Sequence, residues 1–466
     1  MTGYGLLINS VSDLSFVRFL NIIQLSLCAF FLTWWLKRYF FDYLPSVFIS
    51  IAIFTLPAFE IMTSWVAAGF NLAVFFALLA AITAYEIPTQ GPWLKRFSHF
   101  YSLLTFFFLF CALCIHQSAA TFYWAMAATV VLFSPIAHYD PLKKKITNFF
   151  FIGVLTALFY RIFIMLMSPY TMKFKFYFYN PDQITTDYLN KLSWFIREPL
   201  ANSLNLWNIF PIRHFSLVLS ICIMVVMLFS FLKVITSSKN KTQVVKKLLF
   251  LAVITGVLTL LSFSPNLILK GNFFAAHRTS VGLTTIIAFL IIWAIQKLGR
   301  RFLLGKMPIF TIVLFLICLY GAQRALKNVL YYRVLPSYLE LRYVKDKIYE
   351  ALLNNYNEVH FLVPDSASPK YIYDEFVILT TAWPNNVIPL TLCCIRELIK
   401  EQDLKLISLK FDTATQTFNL VLGRLESKTH FRHEEFKLKI SQGTQNVKKN
   451  AGVLLINTRD LANNLN

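Results

Sequence analysis

Few residues in this chain could do chemistry on a substrate, because few are polar. Residues 1–323 contain eight acids. Asp42, Glu86 and Asp140 adjoin basic clusters, whereas Asp13, Glu60, Asp182, Asp187 and Glu198 fall in the alternate connections. A carboxylate able to deprotonate an acceptor hydroxyl must come from the second set, from the C-terminal tail or from a further segment. Glu60 and Asp13 lie nearest the apolar spans and are the expected catalytic carboxylates, while Asp182 and Asp187 read as solvated groups in the long connection 169–213.

The cations are as selective. Arg161 lies about seven residues inside the end of an apolar span, where an isolated charge costs ~2.5–3.5 kcal/mol, so it needs a partner or water. His277 and Arg278, in the phrase AAHRTS, stand between an aromatic loop and the start of a helix. A guanidinium fork next to a helix N-terminus suits a phosphate group. For Arg18, near the end of the first span, snorkelling to the interface is the expected role.

The elements that position these residues are membrane spans. Of 466 residues 57% are hydrophobic, 17% aromatic and only 14% charged, against about 25% charged in a soluble protein. That excludes an ordinary soluble enzyme, and seven cysteines are too sparse for a disulfide scaffold. Ten spans are expected near 15–36, 44–60, 64–85, 98–115, 119–138, 147–168, 214–235, 248–265, 279–297 and 307–323. The second ends at Pro57 and Glu60 and reads as tilted or broken. Lys37-Arg38, Lys95-Arg96, Lys143-Lys144-Lys145, the run Lys239 to Lys247, and Arg300-Arg301 with Lys306 occupy alternate connections. By the positive-inside rule these face the cytoplasm, and the remaining loops, the N-terminus and everything after 323 face outside.

The net charge of +21 reads as topology charge. Residues 1–323 hold 25 Lys/Arg and 8 Asp/Glu, residues 324–466 hold 19 and 15, and no basic stripe with interleaved aromatics marks a nucleic-acid partner. The expected fold class is therefore an all-α polytopic membrane protein, residues 1–323, with an external loop at 169–213 and a small C-terminal α/β extracytoplasmic domain, 324–466. In that domain 335–356 has helical spacing, and 358–364, 404–410 and 417–423 read as strands. Trp194 and Trp207 in the external loop fit interfacial anchors or a sugar-stacking surface, anchoring being the commoner role. Cys111 and Cys114 form C-x-x-C on an apolar helix without partners for redox or metal chemistry, and the adjacent Cys393 and Cys394 read as free thiols. Without a Walker A loop, GxGxxG or HExxH, no cofactor is identified; a divalent cation stays open and a metal site is not expected.

Residues 3–23 (GYGLLINSVSDLSFVRFLNII), 116–124 (HQSAATFYW), 191–207 (KLSWFIREPLANSLNLW), 272–283 (NFFAAHRTSVGL) and 373–376 (YDEF) resemble phrases of the bacterial O-antigen glucosyltransferase family within the GT-C superfamily. The resemblance implies a sugar taken from a polyprenyl-phosphate-linked donor at the outer face of the inner membrane and passed to a glycan or lipid acceptor. It implies a multi-pass protein with a periplasmic C-terminal domain, a place in lipopolysaccharide or other cell-envelope synthesis, and substrate or lipid-phosphate contacts at Gln117 and Arg278. Family members place an acidic pair in the loop after a first helix, whereas this sequence begins with the passage that follows it. The expectation is a shortened version of that design. The alternatives are an O-antigen polymerase and a non-catalytic transporter of lipid-linked sugars.

Overall fold

The computed structural model describes residues 11–64, 69–90, 99–134, 139–172, 185–208, 241–268, 277–299, 307–330 and 335–353, a few scattered positions between them, and the strands of the C-terminal region. The expected seventh span, 214–235, lies outside these apart from scattered residues, as do Cys222, Cys393, Cys394 and Asp182. The chain divides into two compact units, one carrying Leu14–Leu326 and the other Ile8–Asp13, Lys327–Lys370 and Asp374–Asn466.

The first unit is helical because its sequence is a succession of apolar runs, and a segment in hydrocarbon must satisfy its backbone internally. In order come α1 (Val11–Tyr39), α2 (Tyr43–Phe54), α3 (Pro57–Ser64), α4 (Phe70–Glu86), α5 (Phe100–Ile115), the single turn α6 (Gln117–Ala120), α7 (Phe122–Phe133) and α8 (Tyr139–Met172). Then follow α9 (Tyr188–Phe195), α10 (Lys241–Leu261), α11 (Ser264–Ile268), α12 (Val281–Gly299) and α13 (Ile309–Val329), the last entered through a two-residue antiparallel ladder, β1 (Leu303–Leu304) with β2 (Met307–Pro308). Among the described residues four helices, Phe16–Tyr39, Asp140–Met167, Val281–Leu298 and Ile309–Val329, are long and apolar enough to cross a bilayer. The pair α2–α3, bent by 64°, makes a fifth. This is a multi-pass membrane protein.

Burial separates the centre of the bundle from its rim. On α7 every residue from Phe122 to Leu132 is buried except Trp124, and α12 is buried throughout Val281–Leu290. These two helices pack on one another, and α7 also meets α4, α8 and α10. The rim helices leave large apolar side chains uncovered: Phe16, Phe19 and Phe30 on α1, Leu158, Ile162 and Leu166 on α8, and Leu316 and Leu319 on α13. So much exposed apolar area is untenable in water and correct in lipid.

The sequence reads the second span as tilted or broken, and the structure shows the break and how it is closed. The helix stops at Thr55–Leu56, where Leu56 N–H donates to Ile53 O at 3.1 Å instead of to Ala52 O. The carbonyl thus released accepts from the Thr55 hydroxyl at 3.1 Å and from the indole Nε1 of Trp207 at 3.3 Å.

In the second unit, α14 (Leu335–Leu353) precedes strands β3 (Glu358–Val363), β4 (Leu404–Asp412), β5 (Thr417–Ser427), β6 (His430–Gln442) and β7 (Val453–Asn457). The sheet order is β4-β5-β6-β3-β7. β4, β5 and β6 run antiparallel; β3 lies parallel to both β6 and β7. Strands β3, β4 and β5 stand where the sequence pattern puts them, whereas β6 and β7 are additions.

Candidate functional site

The ends of α4 identify the ends of the bundle. At Glu86 the Tyr39 hydroxyl donates to the carboxylate, and Arg38 Nη2 approaches it at 4.0 Å. Lys145 donates to the Tyr85 carbonyl at 3.1 Å and lies over the Tyr85 ring. The basic clusters of α1 and α8 therefore gather here. At the other end, about 24 Å away along a helix of this length, Phe70 packs edge-on against the His116 ring, with centroids 5.0 Å apart. That second end collects the polar residues singled out by sequence.

Glu60 lies in the first turn of α3 and is only 6% exposed. Helix α3 packs on the single 3-10 turn His277–Thr279, which leads into α12, and the same turn meets α6. Three segments distant in the chain thus deliver Glu60, the His116-Gln117 pair and the His277-Arg278 pair to one place. The approach is close at the start of α12: a Cβ on Gly282 would fall 2.7 Å from Thr121 Oγ1 and 2.8 Å from the Thr121 carbonyl.

His116 joins the site without any role assigned to it by the sequence. It ends α5 and, in extended conformation, caps α6. Its Nδ1 accepts from the Ala119 N–H at 3.3 Å. A ring nitrogen that accepts cannot carry the proton, so the neutral ring is protonated at Nε2, and the Ser118 hydroxyl, 3.0 Å from Nδ1, donates to it. Burial and then the positive charge of Arg278 push the His116 pKa down to about 4. Burial takes His277 down to about 3. With both imidazoles neutral at pH 7, the other ionisable side chains these segments bring are the buried Glu60 and the half-buried Arg278. The available sequence signal for His116 is its place directly before Q-S-A-A, a one-turn helix in need of an N-cap.

The other expected residues are placed differently. Gln117 Nε2 donates to the Tyr160 hydroxyl at 2.9 Å, which ties α6 to α8. Arg161 is the next residue of α8, about 100° further round the helix, and takes no part in that bond. Asp13 lies in the first turn of α1, and its side chain is outside the described residues. Among the described residues no three His, Cys, Asp or Glu side chains come together as a metal site.

The expectation that Trp194 and Trp207 anchor an interface is corrected, because both are buried. Trp194 packs with Phe195, Phe263 and Leu283 and donates Nε1 to Glu198 Oε2 at 2.8 Å. Beside it Lys191, 2% exposed, donates to the Asn266 carbonyl at 3.4 Å and lies 5.0 Å from the Trp194 ring centroid. Burial lowers its pKa. Asn266 in turn donates from Nδ2 to the Thr279 carbonyl at 3.5 Å, so the segment 185–208 and α11 together brace the turn that carries Arg278. Trp207, with φ 57°, is the one non-glycine residue in left-handed conformation among the described residues, a state that costs about 1–2 kcal/mol and is held by its surroundings. Its indole, also 3.2 Å from Thr55 Oγ1, clasps the break above Glu60. Set against protein-family models, curated proteins and solved structures, the chain matches none of them.

Proposed function

We propose that this chain is a glycosyltransferase that moves a sugar from a polyprenyl-phosphate-linked donor to a glycan or lipid acceptor at the outer face of a bacterial inner membrane. One observation carries this reading: a buried carboxyl, Glu60, and an arginine, Arg278, are brought to the same end of an apolar bundle, opposite the basic clusters of α1 and α8. Under the positive-inside rule that end is external. In the proposed reaction the acceptor hydroxyl attacks the anomeric carbon, its proton passes to the Glu60 carboxylate, and the bond from that carbon to the phosphate oxygen breaks. Arg278 stabilises the charge gained by the departing polyprenyl phosphate. Asp13 is kept as a second proposed catalytic carboxylate, and Gln117, His277 and Arg161 are the remaining polar groups proposed to meet substrate. The second unit is periplasmic in this reading.

The broken pair α2–α3 favours a second reading, a transporter of lipid-linked sugars, because discontinuous helices are a transporter device. Surface glycans from cells with and without the gene separate the two. Loss of one side-branch sugar, with the lipid-linked donor accumulating on the outer leaflet, supports transfer. Donor retained on the inner leaflet supports transport, and a shortened glycan chain points to polymerisation instead.

A further inference from the structure

Helix α9 and the π-helical turn that continues it, Ile196–Leu200, divide their side chains among three arcs. At 100° per residue, Lys191, Trp194 and Phe195 fall on one side, and all three are buried. Asn190, Ser193 and Arg197 fall on a second; Asn190 and Arg197 are exposed and Ser193 half-exposed. Tyr188, Leu189, Leu192 and Ile196 form the third, exposed and wholly apolar apart from the tyrosine hydroxyl, with Leu189 82% exposed.

A helix between protein and water needs two arcs. A third, apolar arc requires a third medium. The attachments of α9 indicate which one. Thr185 N–H, just before the helix, donates to the Ile268 carbonyl at 2.9 Å, and Lys191 reaches Asn266, so α9 is fastened to α11 where the apolar helix α10 has just ended. Helix α10 itself leaves Leu249, Val253, Val257 and Leu260 exposed, and Ile268 on α11 is exposed too. The uncovered apolar surface of α10 thus runs on to the element that holds α9.

We infer that α9 lies in the plane of the membrane surface, with Tyr188, Leu189, Leu192 and Ile196 set into the lipid and Asn190 and Arg197 in water. The occupant of the apolar arc is the bilayer that the chain already crosses. This replaces the buried tryptophans as the anchor of the segment and fixes the depth of the turn braced by Asn266.

The test needs no transfer activity, so it stands or falls apart from the proposed reaction. A benzophenone amino acid is introduced singly at Leu189, Leu192, Asn190 or Arg197 in the full chain, and the protein is held in phospholipid nanodiscs and irradiated. Each variant is first shown to elute as a single folded species. Mass spectrometry is expected to find phospholipid adducts at Leu189 and Leu192, and at least a severalfold loss of them at Asn190 and Arg197. Equal adduct yields at all four positions, no lipid adduct at Leu189, or a crosslink from Leu189 to a second copy of the chain would each overturn the inference.

Discussion

Gly282→Ala adds one methyl group where α12 leaves the Arg278 turn, and the structure gives it no room. The new Cβ would stand 2.7 Å from Thr121 Oγ1, 2.8 Å from the Thr121 carbonyl oxygen and 3.0 Å from its carbon. Those separations are about 0.7 Å short of ordinary contact, and two of the three atoms are backbone, which cannot rotate away. Overpacking of this kind costs ~1–3 kcal/mol. Opposing it is the helix preference for alanine over glycine, ~0.5–1 kcal/mol in a helix interior, reduced here because Gly282 is in the first turn. The clash wins, and the net loss is ~1–2 kcal/mol. Gly256 is the internal control: it lies in the interior of α10 with nothing within 4 Å of an added Cβ, so Gly256→Ala has only the propensity gain, ~0.5–1 kcal/mol. Unfolding of both variants and the parent in one detergent, followed by tryptophan fluorescence, should order them Gly282→Ala, parent, Gly256→Ala in rising stability. Because the shift moves Arg278 relative to His116, transfer should fall in Gly282→Ala and stay unchanged in Gly256→Ala. A Gly282→Ala protein as stable as the parent would refute the close approach of α12 to Thr121 and with it the geometry of the site.

Arg278→Ala should abolish transfer in membranes while leaving insertion intact, and Arg278→Lys should restore only part of it, because an ammonium cannot replace a bidentate fork; full activity of the alanine variant would remove Arg278 from the site. Trp207→Phe deletes the indole N–H shared by Ala52 O and Thr55 Oγ1 and should cost ~1–2 kcal/mol of stability, measured by denaturant unfolding, with kcat falling more than KM rises. His116 and His277 have folded pKa values below the ordinary 6.5, at about 4 and about 3. The stability they allow is present above pH 6.5 and is lost as pH falls through that window. Unfolding midpoints should therefore decline from pH 6.5 toward pH 4, and His116→Gln should make that decline shallower.

The apolar helices are legible in the sequence because hydrophobicity is a strong signal, and Pro57 and Glu60 mark the broken pair. Of the ten expected spans, four helices and that pair are long and apolar enough to cross a bilayer among the described residues, while α4, α5 and α7 are shorter. The packing of α3, which carries Glu60, against the turn that carries Arg278 is not legible, since no local pattern announces that turn. The two tryptophans mislead for a physical reason: composition gives an indole the same value on a lipid boundary as under a helix, and only packing decides. Lys191 gives no signal either, because a lysine is ordinarily solvent-facing and this one is held inside by the Trp194 ring and the Asn266 carbonyl. In the second unit β6 escapes notice because its period-2 run Phe436-Leu438-Ile440 is preceded by the charged stretch Arg432–Glu435, which hides the first half of the strand.

The clasp at the break has a consequence for how the chain is made. Ala52 O and Trp207 Nε1 are 155 positions apart, and synthesis proceeds at about 5–20 residues per second. The second donor to the released carbonyl, beside the Thr55 hydroxyl, is therefore made roughly 10–30 s after the helix it clasps. Gly321, whose missing side chain leaves room for that indole, comes later still. A newly inserted α2–α3 has the Thr55 hydroxyl to occupy Ala52 O but no indole to clasp its bend. The clasp, and the bracing of the helix that carries Glu60, is then a late event in biogenesis, completed when the segment ending at Trp207 folds back onto helices already in the membrane.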